Sequence, residues 1–169
     1  MKKPWKPSGT VVIFTVLTVL QYVLGFFVFK LPGVEALHWV GWGIWVLSCV
    51  FGFVPIITLR QRGGVPKGES YVHTTQLVDS GLYAIVRHPQ YVAGILLNVA
   101  LMFLAQQWLI IGMGIVSASL IYRDILPADQ EGLEKFGDEY RSYMQRVPRA
   151  NFVLGIFRLI KVKTKQGET

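Results

Sequence analysis

Cysteine occurs once in this chain, at Cys49, so no disulfide forms within it; a packed thiol inside an apolar run is the reading that remains. Charge is also scarce. Asp, Glu, Lys and Arg make up 16% of the 169 residues, against ~25% in an ordinary soluble domain. That deficit, beside 52% hydrophobic residues, points to lipid as the solvent. Acidic residues number 10 against 17 basic ones, for a net charge of +7. Such an excess would suit nucleic acid if the cations shared a soluble face. They cluster between apolar runs instead, which favours a membrane surface. No His/Cys/Asp grouping has metal-ligand spacing, no glycine-rich phosphate loop occurs, and the Ser/His/Asp order of hydrolases is missing. No small-residue cleavage site follows the first apolar run, so a cleavable signal peptide is not expected.

What is present is a set of apolar runs at 11–31, 34–59, 90–105 and 108–125. Twenty-one residues at ~1.5 Å each reach ~31 Å, the thickness of a hydrocarbon core. The last two runs are shorter, are parted only by Gln106-Gln107 and read as a helical hairpin. The fold expected is all-α: one domain over 1–169, a polytopic membrane bundle of about four transmembrane helices. Leu133, Phe136, Tyr140 and Tyr143 then recur at helical spacing among charged residues, and Phe152 to Lys161 is an amphipathic stretch, giving a cytoplasmic cap over 126–162. Asn98 and Gln21, polar within apolar runs, are expected to bond between helices. Lys2, Lys3 and Lys6 precede the first run, four cations lie between the second and third, and nine follow from Arg123 onward. Of the 17, Lys30 alone would face the other side. The positive-inside rule then predicts an integral membrane protein with both termini cytoplasmic.

Two polar, aromatic blocks interrupt this pattern: Gly81 to Tyr91 and Phe136 to Arg149. Ionisable residues at a membrane edge mark a candidate functional site. Pro89 suits the first turn of a helix, which puts His88 at or beside its N-cap. The free N–H groups of that helix end then suit a carboxylate or another anion. The residues alone equally allow a structural reading, in which Arg87 meets lipid phosphate and His88 only caps the helix.

Gly81-Leu-Tyr83, Arg87-His-Pro-Gln-Tyr91, Phe136-Gly-Asp-Glu-Tyr140, Tyr143 and Arg146-Val-Pro148 resemble the membrane methyltransferases typified by isoprenylcysteine carboxyl methyltransferase, and more loosely the phospholipid N-methyltransferases. The likeness runs from Thr75 to about Arg149. It implies methyl transfer from S-adenosylmethionine to a lipid or lipidated acceptor, either a prenylcysteine-like carboxylate or a phospholipid amine. It further implies cofactor contacts at Thr75, Gln76, Leu77, Val78, Tyr83, His88, Pro89, Gln90 and Tyr91. The family's paired glutamates are altered here: Asp129 is the first candidate for the cofactor's ammonium and Glu131 the second. Arg123 and His88 are the candidate catalytic residues, Arg123 facing the acceptor; a lipid-phosphate role for Arg123 stays open. Two other readings compete. One is a nicotinamide-dependent membrane reductase of the sterol reductase type, suggested by Arg123-Asp124 and the Phe136 to Tyr143 block. The other is a non-catalytic lipid-binding membrane protein.

Overall fold

The computed structural model describes residues 9–29 and 33–167. Lys2, Lys3, Lys6, Lys30 and the end of the first predicted run lie outside the described residues. Described elements are helical throughout: α1 (Gly9–Val23), extended by a wider turn to Val28, α2 (Glu35–Arg62), a short 3-10 turn at Gly81–Ala84, α3 (Pro89–Ala105), α4 (Trp108–Arg146) and α5 (Phe152–Gly167). Gly9–Val28, α2 and α4 are long and apolar enough to cross a membrane. The 17 residues of α3 reach only ~25 Å. The all-helical architecture with long apolar helices is as expected, but three of the described helices, rather than about four, are long enough to cross, α3 being the short one.

The chain divides into two compact units, Met1–Cys49 with Ala93–Leu126, and Val50–Val92 with Pro127–Thr169. In the first, polar side chains within the apolar helices bond to one another and to backbone carbonyls. Asn98 Nδ2 donates to Thr18 Oγ1 at 3.2 Å and to the Gly94 carbonyl at 2.8 Å, while the Thr18 and Ser117 hydroxyls meet at 3.1 Å. Gln21, fully buried, donates to the Ile110 carbonyl at 2.9 Å. The bonds to Thr18 and to the Ile110 carbonyl are the interhelical ones expected of Asn98 and Gln21.

Two boundaries differ from the sequence expectation. α4 does not stop at residue 125. It runs through Pro127, which can donate no bond to the preceding turn, and continues to Arg146. α5 runs on to Gly167 rather than ending at 162. The break within α4 falls at Gly137, whose φ of 55° and ψ of −128° are not helical. That combination is open to glycine and strained for any residue with a Cβ. Beyond it, the second unit builds its core on Tyr140, Tyr143 and Val147, with Leu77, Leu133, Phe136 and Met144 packed around them. Tyr143, 1% exposed, donates its hydroxyl to the Tyr83 carbonyl at 2.6 Å. Tyr143→Phe leaves that buried carbonyl without its donor. A stability loss of about 1–2 kcal/mol is expected, read as a lower unfolding midpoint in detergent.

Candidate functional site

Arg87 and His88 precede α3, and their backbone N–H groups donate to the Pro148 and Arg149 carbonyls at 3.1 and 3.3 Å. The two polar blocks, some sixty residues apart in sequence (Arg87 and Pro148), are thus tied main chain to main chain. His88 also accepts the first helical bond, from Val92 N–H at 3.1 Å, as an N-cap residue does. The side chains converge on one carboxylate. Asp129 Oδ1 accepts from His88 Nε2 at 2.7 Å and from the Tyr140 hydroxyl at 2.9 Å. Its Oδ2 accepts from Arg149 Nε at 2.7 Å and lies 3.2 Å from Arg87 Nη2. Three donors and the Arg87 guanidinium thus surround an ionised carboxylate, which only accepts, and His88 therefore carries a hydrogen at Nε2.

Asp129 is 4% exposed. Burial alone would raise its pKa, but the bonds from His88, Arg149 and Tyr140 outweigh burial and hold the carboxyl well below the usual range. Burial, reinforced by the neighbouring Asp129 charge, pushes the Tyr140 phenol well above its ordinary value, so it remains a neutral donor. Tyr143 and Tyr83 are also raised, chiefly by burial. A carboxyl with a depressed folded pKa stabilises the native state above its unfolded pKa and loses that contribution as pH falls through the folded value. Wild type should therefore keep its advantage in unfolding midpoint over Asp129→Asn from neutrality down to about pH 4, losing it progressively in stronger acid. An advantage already gone at pH 6 would contradict this ionisation state.

Arg87 completes the picture. It is 8% exposed, yet its Nε and Nη1 have no hydrogen-bond partner. Arg87 and Arg149 bring two positive charges against the single Asp129 carboxylate, so the cluster carries an excess positive charge. An unpartnered buried guanidinium face costs free energy unless an acceptor meets it.

Beside the cluster lies a cavity of about 280 Å³. Of the candidates for cofactor contact, Gln76, Leu77, Val78, Tyr83, His88 and Glu131 line it. Arg87, Gly132, Lys135, Phe136 and Tyr140 line it too, although none was singled out for cofactor contact. The aromatic block and the Arg-His pair carried the signal for most of these; nothing in the spacing marked Lys135 or Gly132. At Gly132 a Cβ would fall 2.5 Å from the Tyr140 ring, so glycine makes room for that aromatic wall. Thr75, Pro89, Gln90, Tyr91, Asp129 and Arg123 are not in the lining. Thr75 is turned to the Gly64 carbonyl, which its hydroxyl reaches at 2.8 Å. The Tyr91 ring stands edge-on to His88 with centroids 5.7 Å apart. Pro89 is buried at the start of α3, and Arg123 is exposed on α4. Of the other histidines, His73 pairs with Glu69 at 2.6 Å on an exposed loop. Among the described residues no group of three potential metal ligands occurs.

The sequence model of the isoprenylcysteine carboxyl methyltransferase family matches residues 69–132. Protein-S-isoprenylcysteine O-methyltransferase B of Arabidopsis thaliana is 28% identical over 147 residues, covering 78% of this chain and 68% of that protein. Protein-S-isoprenylcysteine O-methyltransferase of Tribolium castaneum is 26% identical over 125 residues, covering 69% of this chain and 43% of that one. No solved structure matches.

Proposed function

We infer, from the chain's similarity to the isoprenylcysteine carboxyl methyltransferase family, that it methylates the carboxylate of a prenylcysteine-like, membrane-held acceptor, using S-adenosylmethionine. One observation carries this reading. The two blocks that resemble the family meet on Asp129 and wall a cavity with a net positive charge, an acidic edge at Glu131 and several aromatic faces. The residues fit the cofactor's three charged groups. A carboxylate suits the unpartnered Nε and Nη1 of Arg87 beside the start of α3. An ammonium suits Glu131, which lines the cavity, better than Asp129, which is outside the lining and engaged by three donors and the Arg87 guanidinium. Asp129 then positions His88, Arg87 and Tyr140 rather than touching the ligand. A sulfonium is attracted to the faces of Tyr83, Phe136 and Tyr140 at about 0.5–2 kcal/mol per contact.

When bound, that cofactor supplies an electrophilic methyl group, and in-line displacement needs no nucleophilic side chain from the protein. The chain's part is to align donor and acceptor and to exclude water. An acceptor carboxylate is already ionised at neutral pH, whereas an amine must first lose a proton to a base. Tyr83, Tyr140 and Tyr143 are held protonated, and Asp129 is held ionised among His88, Tyr140, Arg149 and Arg87. This supports the carboxylate over the phospholipid amine. On the resemblance alone, Arg123 is assigned to the acceptor. The family match favours methyl transfer over the reductase and lipid-binding alternatives. The distribution of Lys and Arg supports a cytoplasmic cavity and cytoplasmic termini.

The test is label transfer from methyl-labelled S-adenosylmethionine into a membrane extract supplied with a farnesylated cysteine analogue. The expected product is a base-labile methyl ester, absent with His88→Ala. Label appearing in a base-stable phospholipid amine, or in no product at all, would overturn the reading.

A further inference from the structure

α5 has three distinct faces. Gly155 is buried against the backbone of Ile85, where an added Cβ would run into the Ile85 carbonyl. The Phe152 ring packs on Phe51 of α2 with centroids 5.4 Å apart. These contacts fix the inner face. Phe51 stands nine residues before Arg60, about 14 Å along the apolar body of α2, so α5 begins against the apolar part of that helix. Its second face carries Ile156, Ile160, Val153 and Phe157, which at ~100° per residue cover an arc of ~100°. They are 41%, 57%, 51% and 67% exposed. The third face, next around the helix, carries Lys161 and Arg158, both exposed.

Where this basic face turns back to the body of the second unit there is a separate cavity of about 400 Å³. Ala84, Val147 and Leu159 give it an apolar floor, and Arg146, Arg158 and Lys161 stand around it. Asp79, also in the wall, lies 3.4 Å from Arg146. Three cations against one carboxylate leave the rim two charges positive. An apolar arc, an adjoining basic arc and an apolar cavity with a cationic rim match the three zones of an amphipathic anion: acyl chain, interface and phosphate.

We propose that this face of α5 and its cavity form a binding site for an anionic phospholipid of the bilayer. The apolar arc lies among acyl chains, and Arg158 and Lys161, with Arg146, hold the phosphate. The site shares only its neighbourhood with the methyl-transfer cavity, and it stands or falls apart from that reading. Two positive charges on the rim would repel a basic protein segment, which leaves the acidic lipid surface as the complementary partner.

The full-length protein, purified in mixed micelles of equal phosphatidylglycerol and phosphatidylcholine, is extracted and its retained lipids counted. Wild type should retain the anionic lipid in excess, and each neutralised cation should lower that preference by about fivefold. The double substitution Arg158→Gln with Lys161→Gln should bring the ratio near unity. Arg158→Lys, which keeps the charge, should preserve it, as should Arg141→Gln on the exposed face of α4. Circular dichroism confirms that each variant is folded. A wild-type ratio near one overturns the proposal, as does a ratio that the double substitution leaves unmoved. Preferential displacement of the lipid by polyglutamate would overturn it too, assigning the cations to an acidic protein.

Discussion

Asp129→Asn is expected to destabilise the protein by about 3–5 kcal/mol, the range for breaking a buried charged pair by removing one partner, and to abolish cofactor binding. The amide has nearly the same shape, so the effect is one of charge and donor count. Asparagine offers a single carbonyl oxygen and two N–H donors. Whichever way it is turned, its NH₂ faces either the His88 and Tyr140 donors or the Arg149 and Arg87 pair. At the same time two guanidinium groups, one of them buried, lose the carboxylate they share. Thermal unfolding in detergent and calorimetry with S-adenosylmethionine measure the two effects. A variant as stable as wild type would show that the cluster on Asp129 does not hold the second unit together.

Gly137→Ala should have the next largest effect, for a reason that involves no contact at all. A Cβ at this position would meet nothing within 4 Å, so the cost is entirely the backbone strain of φ 55°, ψ −128°, about 1–3 kcal/mol. The functional loss should exceed what that figure suggests. Asp129 and Tyr140 are 11 residues apart, which in an unbroken helix is a rise of ~16 Å, too far for the hydroxyl to reach the carboxylate. The non-helical step at Gly137 lets the chain fold back and close that bond. A substitution that drives residue 137 toward helical torsions withdraws Tyr140 from the cluster. Loss of cofactor affinity by about tenfold or more is expected, equivalent to at least 1.4 kcal/mol. Gly43→Ala is the control: it too has open space around its Cβ, but it sits within regular helix α2, where alanine is favoured by about 1 kcal/mol. Equal behaviour of the two variants would show that the torsion at 137 is unimportant.

Local chemistry made much of this architecture legible in the sequence. Apolar runs located the spanning helices, Pro89 marked the start of α3, and His88 caps it as the proline position implies. The residues of the two polar blocks do meet in one unit. What the sequence could not convey was the role of Asp129. Its neighbours in sequence resemble a solvated helix face, and its partners come from 41 residues before and from 11 and 20 residues after it. A carboxylate filled by such distant donors looks, in sequence, like one free to bind a ligand. Glu131, two positions on, lines the cavity instead. The end of the fourth helix was misplaced for a related reason. Pro127 is a breaker by local rules, yet the helix passes it and gives way at Gly137, where the buried Tyr140 and Tyr143 require a change of direction.

The paired main-chain bonds from residues 87 and 88 to residues 148 and 149 carry a consequence for how this site tolerates change. Peptide groups are the same whatever side chains they bear, so substitutions at Pro148 or Arg149 leave the alignment of the two strands of chain intact. Insertions do not. Adding or deleting one residue between Tyr143 and Pro148 would shift the join by one peptide repeat, up to ~3.8 Å, and carry Arg149 out of reach of its carboxylate. Length in that short stretch is therefore constrained more tightly than composition.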